Sequence, residues 1–84
     1  METAYQAPWV GRWVYSADRA YRVRREEDIF IAEFDVLTVV AVRVADGKRK
    51  LLWHSTGNHP GERAEWDAIR LKDYAECVCE LDWS

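Results

Sequence analysis

Residues 36–53 read VLTVVAVRVADGKRKLLW. Two runs rich in β-branched and apolar residues flank Asp46-Gly47. That dipeptide is favoured in two-residue type I′ turns, whose central positions both need φ > 0. The stretch is therefore predicted as a β-hairpin. A two-residue turn sets Ala45 opposite Lys48, Val42 opposite Leu51 and Val40 opposite Trp53, with Ala41/Leu52 and Arg43/Lys50 on the other face. Directly opposed like charges are mildly unfavourable, which places the Arg43/Lys50 end of the hairpin in water. Val36 to Val42 is apolar on both faces, the pattern of a central strand covered on both sides.

On the N-terminal side, PWVGRWVYS (residues 8–16) reads as a strand. Trp9, Gly11, Trp13 and Tyr15 fall on one face, and Val10, Arg12, Val14 and Ser16 on the other. The expectation is that the Val10/Val14 side packs with Arg12 at its edge, leaving part of the aromatic side accessible; the opposite assignment stays open. YRVRR (residues 21–25) alternates and is predicted as the neighbouring strand. Glu26-Glu27-Asp28 marks a turn or a helix start, since acids suit a first helical turn. DIFIAEF, residues 28–34, is too short an apolar run for periodicity to separate helix from strand.

On the C-terminal side, HSTGNHPG begins a loop, and a helix over residues 62–72 is preferred to a strand. Glu62, Glu65 and Asp67 suit its start and Arg70 and Lys72 its end. AECVCELDW (residues 75–83) alternates and predicts a last strand, with Glu76, Glu80 and Asp82 on an acidic outer face. Such a face discourages edge-to-edge pairing. The reading is a small α+β single domain over residues 1–84: a mainly antiparallel sheet of about four or five strands with one or two short helices.

A chain of 84 residues buries only about 60–65% of its unfolded surface. Five tryptophans and four tyrosines are a heavy aromatic load for it, so some should be left partly exposed at an interaction surface. Residues 1–60 carry nine basic against eight acidic side chains, and residues 61–84 three against seven. Bulk phosphate neutralisation is not expected of such a chain, and its acidity is too sparse for a DNA mimic. No apolar run approaches a membrane span or a secretory leader. The two cysteines, Cys77 and Cys79, form no disulfide framework, and a cytoplasmic setting is expected.

Arg19, Arg22, Arg24 and Arg25 cluster around Tyr21, with Arg12 and two tryptophans on the strand beside them. Arginine with exposed aromatics can hold single-stranded nucleic acid, but the adjoining Glu26, Glu27 and Asp28 weaken a phosphate groove. His54, His59, Cys77 and Cys79 have the chemistry of zinc ligands at the wrong spacing, and a C-x-C pair on a strand is read as two buried thiols. No metal or cofactor is expected. Nucleophile-elbow, metalloprotease and phosphate-loop motifs are missing from the sequence, which argues against an enzyme. A protein-binding surface remains, formed by Trp9, Arg12, Trp13, Tyr15, Arg22 and Arg24, with Glu76, Glu80 and Asp82 as a complementary acidic set.

The three stretches METAYQAPWVGRWVYSADRAYRVRREEDIF, FDVLTVVAVRVADGKRKLLWHSTGNHPGERAEW and ECVCELDW together resemble a phage-encoded anti-CRISPR protein directed at type I-E systems. The likeness covers essentially the whole chain and transfers neither a fold nor site residues. It implies stoichiometric inhibition in the cytoplasm of an infected bacterial host. The partner would be the type I-E effector complex or the nuclease-helicase that the complex recruits. The sparse acidity favours interference with recruitment or activation over DNA mimicry. The alternative is a small β-rich nucleic-acid-binding module that uses the exposed Trp, Tyr and Arg side chains.

Overall fold

The computed structural model describes residues 9–30, 34–56 and 60–83. Among the described residues, five strands form one antiparallel sheet: β1 (Trp9–Val10), β2 (Val14–Tyr15), β3 (Tyr21–Phe30), β4 (Phe34–Arg43) and β5 (Lys48–Ser55). The order is β1-β3-β4-β5, with β2 also paired to β3. Two helices, α1 (Pro60–Ala68) and α2 (Leu71–Cys77), and a 3₁₀ turn (Val78–Glu80) follow. α1 lies over β4, and α2 lies over β3 and β2. The expected α+β class, strand number and helix number all hold.

One face of the sheet is covered by the helices and the other is open. The core comprises Val23, Leu37, Val39 and Ala41 from the sheet with Trp66, Leu71, Ala75, Val78 and Trp83 from the helical layer. From Tyr21 to Asp28 on β3 the odd-numbered residues face the helices and the even-numbered ones face outward, as strand alternation requires.

The central hairpin forms as expected, but with a different turn. Arg43 pairs with Lys48 across a four-residue loop, Val44–Gly47, so Val42 lies opposite Arg49 rather than Leu51. A type I′ turn needs φ > 0 at both Asp46 and Gly47, and of these only Gly47 adopts it, at 72°. Asp46 is held otherwise: its carboxylate accepts bonds from Arg43 Nη2 at 2.5 Å and from the Lys48 N–H at 3.1 Å. The Gly47 N–H closes the loop on the Arg43 carbonyl at 2.7 Å. The register moves by two residues, which preserves the faces until a bulge between Val39 and Val40 places Val39 opposite Trp53 and Val40 opposite Leu51.

The Arg43 hydrogen bonds, then that of Lys48, lower the Asp46 pKa from an ordinary 3.8 to about 2. A depressed carboxylate contributes stability above its ordinary pKa and loses it as pH falls through the folded value. The Asp46 side-chain carbonyl resonance is expected to titrate at about 2, and Arg43→Gln is expected to return it toward the ordinary range. An unmoved midpoint would show that Arg43 does not hold the carboxylate.

The C-terminal segment corrects the sequence reading. Residues 71–80 are α2 and the 3₁₀ turn rather than a strand. The buried positions Leu71, Ala75 and Val78 recur at helical spacing. Cys77 and Cys79 are free and exposed rather than buried. The chain is nonetheless fastened at Trp83: its Nε1 donates to the Val78 carbonyl at 2.9 Å, and its own carbonyl accepts from Lys48 Nζ at 2.8 Å. Lys50 Nζ donates to the Asp82 carbonyl at 2.6 Å. The tip of the hairpin still projects into water as expected, residues 44–49 all being exposed, while these bonds tie the two lysines to the C-terminal segment.

Glu26-Glu27-Asp28 is likewise strand, not turn or helix start. Ion pairs to Arg24, Arg49 and Arg63 satisfy Glu26 and Glu27 there, and outweigh the weak preference of acids for a first helical turn. Of the run 28–34, both described ends are strand, and residues 31–33 lie outside the described residues. The helix expected over 62–72 is α1 and the start of α2, separated at Ile69-Arg70.

Candidate interaction face

The stretch 8–16 is two short strands with an irregularity between them. Trp9 pairs with Glu27 and Val10 with Glu26, whereas Val14 pairs with Val23 and Tyr15 with Arg22. One extra residue is therefore accommodated opposite Arg24, the signature of a β-bulge. The Gly11 N–H holds the register by donating to the Arg25 carbonyl at 2.8 Å. The bulge inverts the side-chain phase, which is why neither expected face is intact. Trp9 and Val14 take the helix side, while Val10 and Tyr15 take the open side. Val10, expected to pack, is 46% exposed.

The inversion also delivers Trp13 to the open face, against two arginines. The Arg22 and Arg24 guanidinium carbons lie 4.2 and 4.1 Å from its ring centroid. Arg22 Nη1 donates to the Tyr15 hydroxyl at 3.3 Å, and Arg19 covers the Tyr15 ring at 4.1 Å. Arg24 Nε donates to Glu26 Oε2 at 2.8 Å, and Arg49 Nη2 reaches Oε1 of the same carboxylate at 3.0 Å. Burial works to raise the Glu26 pKa, but the bonds and charges of Arg24 and Arg49 outweigh it and hold the group below its ordinary value.

Val40 and Val42 lie on this open face yet are only 4% and 5% exposed. Their cross-strand neighbours are Arg24 and Leu51 for Val40, and Arg22 and Arg49 for Val42. Long arginine stems cover apolar strand surface while keeping their charged heads in water. The result is a plate of guanidinium and indole flanked by Val10 on β1 and by Leu51, 56% exposed, on β5.

Of the residues expected to form a binding surface, Trp13, Tyr15, Arg22 and Arg24 come together. Arg12 stands exposed within the bulge. Trp9 does not join them: it meets Trp66 edge-to-face at 5.7 Å and lines a shallow cleft of about 420 Å³ with Glu27, Arg63 and Asp67. Glu76, Glu80 and Asp82 are exposed in the helical layer, apart from the aromatic plate. Sequence reasoning missed Val10, Glu26, Arg49 and Leu51. A four-residue hairpin loop would have placed Arg49 beside Val42 and Arg22.

His54 is exposed on β5, and Cys77 and Cys79 belong to the helical layer, so these possible ligands are dispersed; His59 lies outside the described residues. No group of three or more potential metal ligands converges among the described residues. Among them, too, no helix is long and apolar enough to cross a membrane. No family model, curated protein or solved structure matches the chain.

Proposed function

We propose that the protein acts by binding rather than catalysis, as an anti-CRISPR inhibitor of a type I-E system in the cytoplasm of an infected bacterial host. The whole-chain resemblance supplies the target: the effector complex or its nuclease-helicase. The observation that carries the binding reading is the Arg22–Trp13–Arg24 plate, a preordered cluster of the residue types that dominate interface hot spots. Preordering matters because association must otherwise immobilise long side chains at a cost of about 0.5–1.5 kcal/mol each.

The face also bears on mechanism. It is arginine-rich, which does not suit mimicry of DNA, and inhibition is accordingly assigned to recruitment or activation of the nuclease-helicase. The nucleic-acid-binding alternative is less favoured, since two guanidiniums already occupy the Trp13 ring on which a base would stack.

Co-purification with a reconstituted type I-E effector complex, with labelled target DNA added before or after, tests the proposal. Stable association with DNA still bound is the expected result. Association that excludes DNA would replace the recruitment mechanism with steric blocking. Binding to neither effector nor nuclease-helicase would sink the inhibitor reading.

A further inference from the structure

We infer that the open face receives a carboxylate-bearing protein segment, with Arg22 as its principal hydrogen-bond donor and Trp13 as the wall beside it. The inference rests on the binding reading above and names the chemistry of the partner.

The charge pattern is incomplete as it stands. Arg24 and Arg49 share the single Glu26 carboxylate. Arg22, which like Arg24 lies against the indole, has among the described residues only the neutral Tyr15 hydroxyl as hydrogen-bond acceptor, and its buried Nε has none. Two guanidiniums therefore lie against one ring, and only one of them is neutralised by an acid. A carboxylate arriving beside Arg22 completes the pattern that Glu26 already provides for Arg24, in the charge-assisted geometry that guanidinium favours.

The same face discriminates between anions. A nucleic-acid strand brings a charge roughly every 3.4 Å along its axis, and a track of that density across β3 meets Glu26 and the neighbouring outward position, Asp28. Base stacking is hindered, since two guanidiniums already lie against the Trp13 ring and Arg19 lies against that of Tyr15. A protein segment can set one carboxylate on Arg22 and apolar side chains on Val10 and Leu51, which stand exposed at opposite edges of the sheet.

The test is a titration of the ¹⁵N-labelled protein at low salt with a short oligoglutamate peptide and, separately, with an oligothymidylate of matched charge. The Trp13 indole N–H and the Arg22 and Arg24 Nε–H signals are expected to shift with oligoglutamate at lower concentration than with oligothymidylate. Arg22→Gln is expected to weaken oligoglutamate binding about tenfold, the loss of one charge-assisted bond. Arg49→Gln, at a more exposed position, should weaken it a few-fold, and Arg70→Gln in the helical layer should leave it unchanged.

Equal or stronger shifts with oligothymidylate would overturn the inference, as would shifts confined to the helical layer or none at these signals. If Arg22→Gln does not fold, the unmodified protein and Arg49→Gln decide the matter. Oligoglutamate binding without effector co-purification would remove the anti-CRISPR target and keep the preference of the face. Co-purification without oligoglutamate binding would overturn the carboxylate inference alone.

Discussion

Trp66→Ala is expected to lower the free energy of unfolding by about 3–5 kcal/mol, the range for a deleted core aromatic. Trp66 is the large residue through which α1 joins the core, and it is only 3% exposed. Its Nε1 donates to the Thr38 carbonyl at 3.0 Å, fixing α1 to β4. Truncation opens a cavity over Leu37 and Val39, removes that bond, and takes away the ring that Trp9 meets edge-on. A domain of this length has on the order of 4–13 kcal/mol of stability in all, so the variant loses a large fraction of it. Urea titration followed by far-UV circular dichroism measures the loss. Trp66→Phe keeps most of the apolar volume but not the N–H, and should cost about half as much. A Trp66→Ala loss below about 1 kcal/mol would mean that α1 is not anchored through this ring.

Trp66 also marks a boundary of what the sequence discloses. The existence of the hairpin around Asp46-Gly47, though not its turn or register, the YRVRR strand and the helix beginning near Pro60 were legible, because β-branched runs, loop residues and placed charges act locally. The last segment was not. Ala75, Cys77, Cys79, Leu81 and Trp83 alternate as a strand would, while Leu71, Ala75 and Val78 carry the helical period; the choice between them rests on contact with Val23 and Tyr21, which sequence does not display. The β-bulge at Gly11–Trp13 was invisible for a similar reason. Its one-residue offset is set by pairing with β3, and it alone exchanges the faces of Trp9 and Trp13. The aromatic and arginine members of the candidate site were thus identifiable by type, whereas their grouping depended on that offset. The three acids Glu76, Glu80 and Asp82 were assigned to the binding surface from a strand that does not form.

The alternation within Tyr21–Arg25 separates binding from stability. Arg25→Met is expected to cost about 2–4 kcal/mol of stability, because Arg25 supplies the C-terminal cap that α1 lacks. The sequence PGERAEWDA has no basic residue in its last turn. Arg25 reaches up from β3 instead: Nε donates to the Trp66 carbonyl at 2.8 Å, Nη2 to the Asp67 carbonyl at 3.2 Å, and Nη2 also to the Ile69 carbonyl. Met keeps the length of the stem but strands the part-buried Ile69 carbonyl and leaves the Trp66 carbonyl with only the long bond from the Ile69 N–H at 3.3 Å, whereas the Asp67 bond lies in an exposed setting where water can replace it. Arg25→Lys retains the charge but cannot span three carbonyls, and should recover part of the loss. Native-state hydrogen exchange should report α1 amides losing protection ahead of those in the β3–β4 ladder. Because Arg25 lies opposite Val39 on the helix side while Arg22 and Arg24 face outward, Arg25→Lys should preserve the oligoglutamate shifts, and Arg22→Gln should abolish most of them with little effect on α1. A loss of oligoglutamate binding in Arg25→Lys equal to that in Arg22→Gln would show that the two faces of β3 do not divide the work. Unchanged α1 protection in Arg25→Met would show that the helix end is held by something else.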